Sequence, residues 1–238
     1  MTDLDTVFSS LSFDRNSGEP REGKAPYADR LPRQNEYEEK ERTRQIAAYR
    51  AQRFEAAKRR IPLDFHEPFD RNRTGIDLKS MDSIMAWDGK RSILAKGMSQ
   101  LGKTRSVYKL LMKWHTEYDS SFIVLDERKI LGKVTDAFGE KGLQKLDRKL
   151  CNVDILFLDD LDKVNFTNGV MAQNALTLIF GVIKDRMANR RPTFITMNTS
   201  VTEVFQSAGP AVTQSLIERM KQPECWQVEV FNQPTNQQ

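Results

Sequence analysis

The residues Gly97, Met98, Ser99, Gln100, Leu101, Gly102, Lys103 and Thr104 read G-x-x-x-x-G-K-T. The preceding RSILAKG has the apolar run of a short strand. The following KTRSVYKLLMKWH spaces Val107, Leu110, Leu111 and Trp114 along one face of a helix. A strand that turns through glycines into a helix converges backbone N–H groups and a helix N-terminus on one point, which suits an anion. The lysine offers a point charge to β- and γ-phosphates, and the threonine offers a hydroxyl to Mg²⁺. The stretch therefore demands an α/β fold with a triphosphate, ATP or a relative, at one sheet edge.

The rest of the chain agrees with that demand. From Asp77 onward strands alternate with helices: SFIVLD, ERKILGKVTDAF, LQKLDRKL, VDILFLDD, NALTLIFGVIKDRMANR, PTFITMNTS, TQSLIERM and CWQVEVF. In NALTLIFGVIKDRMANR, Leu176, Ile179, Val182, Ile183 and Met187 share a face. This alternation predicts a five-stranded parallel sheet flanked by helices over residues 77–232. Residues 1–76 form an N-terminal extension. Positions 1–34 lack periodicity and read as loose. Asn35 to Arg60 is free of Gly and Pro, with Glu36, Glu38, Glu39 and Glu41 at its start and Lys58, Arg59 and Arg60 at its end, a polarity that favours a helix. Seven basic residues against one acid between Arg42 and Arg60 fit either a solvated face or a contact with nucleic acid or a partner. IPLDFHEPFDRNRTG reads as an irregular connector, and residues 233–238 as a disordered tail.

Three further places carry chemistry. ILFLDD ends a buried strand in Asp159 and Asp160, at the carboxyl edge where open α/β sheets bind ligands. Asp159 suits a metal-holding role beside Thr104, and Asp160 can polarise an attacking water. Asn198, at the end of TFITMN, can reach between the phosphate loop and the acids. Arg219, in SLIERM, can stabilise γ-phosphate charge in a neighbouring subunit, which requires a homo-oligomer.

In this order and spacing, GMSQLGKT, LCNVDILFLDDLD, RRPTFITMN and SLIERM resemble the AAA+ ATPases of the DnaC-type replicative helicase-loader family, with IstB-like transposition helpers as near relatives. The resemblance runs from about Arg50 to Phe231. It implies Lys103 and Thr104 as the Walker A pair, Asp159 and Asp160 as the Walker B acids, Asn198 as sensor 1 and Arg219 as the arginine finger. It also implies ATP and Mg²⁺ as cofactors, and single-stranded DNA and a DnaB-type replicative helicase as partners (a transposase on the IstB-like alternative). The family touches single-stranded DNA through the helical region after the second strand, where this chain has Lys129, Lys133, Lys141, Lys145 and Arg148. Three departures stand out. Gln100 occupies a position where the family usually has glycine, Asp160 one where glutamate is commoner, and after Phe231 no sensor-2 arginine follows. These changes touch turnover more than binding, so slow hydrolysis is expected.

Composition excludes several other classes. A net charge of +4 on 238 residues does not by itself announce a nucleic-acid binder. Cys151, Cys225, His66 and His115 lack the spacing of a zinc site, and the thiols are expected reduced. MTDLDTVFSS lacks the pattern of a secretory signal, and no window is apolar enough for a membrane helix, so a cytoplasmic location is expected. A small-molecule kinase with the same loop is the alternative from another class, but no arginine-rich lid insertion is visible.

Overall fold

The computed structural model describes residues 31–67, 70–71, 75–137, 139–166, 169–205 and 210–233. The expectations for the loose N-terminal segment up to residue 30 and for the tail from residue 234 lie outside them. The chain divides into two compact units, Met1–Ala47 and Ala48–Gln238. Of the first, residues 31–47 are described, and they are helical. The helix α1, Leu31–Lys58, starts four residues before the expected Asn35.

In the second unit the elements after α1 are α2 (Leu78–Met85), β1 (Ser92–Gly97), α3 (Lys103–Glu117), β2 (Phe122–Leu125), α4 (Glu127–Asp136) and α5 (Glu140–Asn152). There follow β3 (Ile155–Leu158), α6 (Gly169–Ala188), β4 (Thr193–Met197), α7 (Val201–Phe205), α8 (Pro210–Met220) and β5 (Trp226–Phe231). All strand pairs are parallel, and the order across the sheet is β2-β3-β4-β1-β5. The expected five-stranded parallel sheet is thus present. Its order places β4 between the strand of the phosphate loop and the strand of the two acids. The carboxyl ends of β1, β3 and β4 therefore lie side by side.

The inner strands β1, β3 and β4 are mostly apolar on both faces because both faces are covered, whereas the edge strand β5 exposes Val228 and Val230. Ile93, Ala95, Ile155, Phe157 and Phe194 point into a core shared with α2, α3 and Ala57 of α1. Leu94, Leu156, Leu158, Ile195 and Met197 point into a second core shared with α4, α5, α6 and α8. Burial along α6 follows helical spacing through Ala172, Ala175, Leu176, Ile179, Val182 and Ile183. The last buried position is not the expected Met187, which is half-buried, but Arg186. Its guanidinium donates to the carbonyls of Leu150, Cys151, Val153, Asp154 and Pro192 and to the Thr193 hydroxyl. It thereby ties the C-terminal end of α5 to the entry of β4. Cys151 is buried, Cys225 is half-buried, and both thiols are free.

Candidate active site

The phosphate loop leaves β1 at Gly97, whose φ is +134°. A Cβ there would sit 2.2 Å from the carbonyl oxygen of Phe231, so the neighbouring β5 backbone itself requires glycine. Gly102, φ +105°, closes the loop at the start of α3, and a Cβ there would meet the Met81 sulfur at 2.8 Å. Between them Gln100 has φ +67°. An L-residue in the left-handed region costs about 1–2 kcal/mol, so the departure from glycine read in the sequence has a conformational cost. Replacing Gln100 by Gly removes that cost and adds the unfolded-state entropy of glycine, a smaller opposing effect. Gln100→Gly is expected to raise the thermal midpoint by about 1–3 °C, measured by differential scanning calorimetry. An unchanged or lower midpoint would show that the Gln100 side chain holds the loop.

Leu101 is buried and anchors the loop, whereas Met98 is exposed. Lys103 is only 4% exposed. Its Nζ donates to the carbonyls of Gly97 (2.8 Å) and Met98 (2.5 Å) and to Asn198 Oδ1 (3.1 Å). Burial pulls the Lys103 ammonium below the usual lysine range, opposed by the carboxylates of Asp160 and Asp162. Ser99 Oγ also donates to Asn198 Oδ1, at 3.3 Å. Asn198 Nδ2 turns the other way and donates to Asp162 Oδ2 at 3.2 Å. Asn198 therefore bridges the phosphate loop and the acidic turn, the place its strand position predicts.

On the acidic side, Asp159 Oδ1 accepts from Thr104 Oγ1 at 2.8 Å and from Thr196 Oγ1 at 2.7 Å. Thr196 in turn accepts from the Asp160 N–H at 2.8 Å. Burial pushes the Asp159 carboxyl above the usual range, against the two hydroxyl donors. A half-buried carboxylate next to a hydroxyl is a hard oxygen pair, the donor type that Mg²⁺ takes. Thr104 and Asp159 thus fit the expected metal. Asp160 turns the chain with φ +50° into a 3-10 turn, Leu161–Lys163, and its carboxylate is ion-paired with Lys163.

Lys103, Thr104, Ser99, Gln100, Asp160, Lys163 and Asn198 line one cleft, whose apolar wall is Phe65 and Ile76. Phe65 stacks on Tyr108 with ring centroids 4.6 Å apart. The Arg105 guanidinium lies 5.4 Å from the Phe65 ring and donates to the Asp64 carbonyl at 2.7 Å. Arg219 lies elsewhere: it sits half-buried in the last turn of α8, does not line the cleft, and its guanidinium makes no hydrogen bond or ion pair among the described residues. Sequence reasoning missed Thr196, Asp162, Lys163 and the Phe65–Ile76 wall. The only available signal for them was proximity in sequence to Asp160, Asn198 and the connector.

No known family profile and no curated protein matches the chain. Solved structures do. DnaI, 14% identical, aligns with a TM-score of 0.51 over 73% of this chain and 93% of its own. Domain III of the replication initiation protein DnaA from Thermotoga maritima, 15% identical, gives 0.50 over 70% and 69%. The fold is that of the AAA+ ATPases. The DnaC helicase loader, 18% identical, gives 0.46 over 65% and 87%. The chain spans 43% of the length of a DNA replication initiation factor and of AMPPCP-bound DnaA from Aquifex aeolicus. Within the AAA+ fold the ends of β1, β3 and β4 are where the site above is assembled.

Proposed function

We propose that this chain is a replication ATPase of the helicase-loader type, which binds ATP with Mg²⁺ and single-stranded DNA and assists the loading of a ring helicase. One observation carries the nucleotide reading: Asn198 contacts Lys103 and Ser99 through one end of its amide and Asp162 through the other. That contact joins the loop built for phosphate to the turn built for acid chemistry.

The loop amides and Lys103 grip the phosphates, and the Phe65–Ile76 wall receives the base. Thr104 and Asp159 would hold Mg²⁺, which supplies charge neutralisation at the phosphates when bound. Asp160 accepts a proton from the water that attacks the γ-phosphorus, and the β–γ bridging bond breaks to give ADP and phosphate. Asn198 orients the water or the γ-phosphate. Arg219 from a neighbouring copy completes the site, so turnover depends on oligomerisation. For DNA, Lys129 and Lys133 are exposed one turn apart on α4, and Lys141, Lys145 and Arg148 are exposed along α5. This spacing suits a phosphate backbone.

The test is ATPase rate against protein concentration, with and without single-stranded DNA. Wild type is expected to gain specific activity with both. Arg219→Ala is expected to bind ATP within about twofold of wild type and to lose about 10³-fold or more in rate. A variant that hydrolyses normally would remove Arg219 from the site. Co-precipitation with a replicative helicase, set against a transposase, separates loading from the transposition alternative.

A further inference from the structure

The turn after β3 carries more charge than two Walker B acids require. Asp160 lines the cleft, with Asp159 and Asp162 on either side of it in the chain, and among the described residues Lys103, Lys163 and Arg105 are the cationic side chains that line it. A chain of contacts connects the metal-holding residues to Lys163. It runs from the Thr104 hydroxyl to Asp159, from Asp159 to the Thr196 hydroxyl, from there to the Asp160 backbone N–H, and from the Asp160 carboxylate to Lys163. The backbone under Lys163 is fixed: its N–H donates to the Asp160 carbonyl at 2.9 Å, and Leu161 is fully buried. Its side chain is free to move, with 55% of its surface exposed. An ion pair this open contributes little and exchanges readily.

We propose that Lys163 reads the third phosphate of the bound nucleotide. The ammonium leaves Asp160 for the terminal phosphate, a stronger, charge-assisted acceptor in the same cleft. The exchange couples two events. Recognition of a triphosphate uncovers the Asp160 carboxylate, and a diphosphate, which lacks the group that draws Lys163 away, leaves it covered. Lys163 thus sets the preference for ATP over ADP and keeps Asp160 masked until the substrate is complete. This rests on the nucleotide reading above.

The test is titration calorimetry of the full chain with Mg²⁺, using ADP and a non-hydrolysable ATP analogue. Because the Lys163 side chain is mostly exposed, Lys163→Ala folds normally. It is expected to lose about tenfold or more in affinity for the ATP analogue. Its ADP affinity is expected to stay within about twofold, so the ratio of the two constants collapses. Lys163→Arg, which keeps charge and donors, is expected to retain the preference. An unchanged ratio in Lys163→Ala, or equal loss of both nucleotides, overturns the role of Lys163 while leaving the nucleotide site standing. Absence of binding by wild type sinks the nucleotide reading and this inference together.

Discussion

Arg186→Met is expected to destabilise the protein by about 4 kcal/mol. The side chain is fully buried within α6, and every oxygen it meets is uncharged. Burial pulls the guanidinium down to about 10, so it remains charged at neutral pH. Methionine fills much of the volume but leaves five carbonyls and the Thr193 hydroxyl without this donor, and a buried acceptor left unmade costs about 1–3 kcal/mol. Lysine has three donors on one nitrogen and cannot span acceptors that a planar fork reaches. Arg186→Lys should therefore recover less than half of the loss. Urea unfolding monitored by circular dichroism measures both variants. A shift below about 1 kcal/mol for Arg186→Met would mean that backbone relaxation or water replaces the guanidinium.

The same residue marks where sequence reading stops. An arginine near the end of an amphipathic helix reads as solvent-facing, and nothing in the sequence pattern separates it from Lys184 in the same helix or Arg190 just beyond it. Its partners are backbone carbonyls brought together from the ends of α5 and the start of β4, and a carbonyl has no sequence signature. Gly97, Lys103 and Asp159 were legible for the opposite reason. Close backbone approach, a buried point charge and an acid at a strand end each restrict the residue type, so the type reports the geometry. Asn198 lay between these cases. Its strand was readable, but its place between β1 and β3 depends on the insertion of β4, a nonlocal pairing that no local pattern encodes. The helix α2 was passed over although Asp77 caps it by accepting from the Ser80 N–H at 3.0 Å, and Met81 and Ile84 fall in register. A cap and two apolar positions over eight residues is a weak signal beside the proline-rich connector before it. The short helix α7, five residues, leaves weaker periodicity still.

Lys103→Ala is expected to abolish measurable ATP binding, a loss of about hundredfold or more, without loss of stability. The two outcomes follow from one fact. The ammonium is almost entirely buried, with two loop carbonyls and the Asn198 amide as its partners, and no carboxylate bonded to it. Burial pulls the ammonium below the usual lysine range against the nearby carboxylates, so desolvation of the charge offsets what its three hydrogen bonds add to folding, and the open cleft lets water reach the acceptors it leaves. Removing it relieves that penalty. It also removes the one cation that lies inside the loop rather than at the rim of the cleft. A site that holds a buried cation with no carboxylate bonded to it is poised for an anion, at some cost in folding stability. Calorimetric titration with ATP and Mg²⁺ reads the first outcome, and the thermal midpoint of the same sample reads the second. If Lys103→Ala binds ATP within about threefold of wild type, the loop is not the phosphate site. If it instead loses several degrees, the lysine serves chiefly to tie the loop to Asn198.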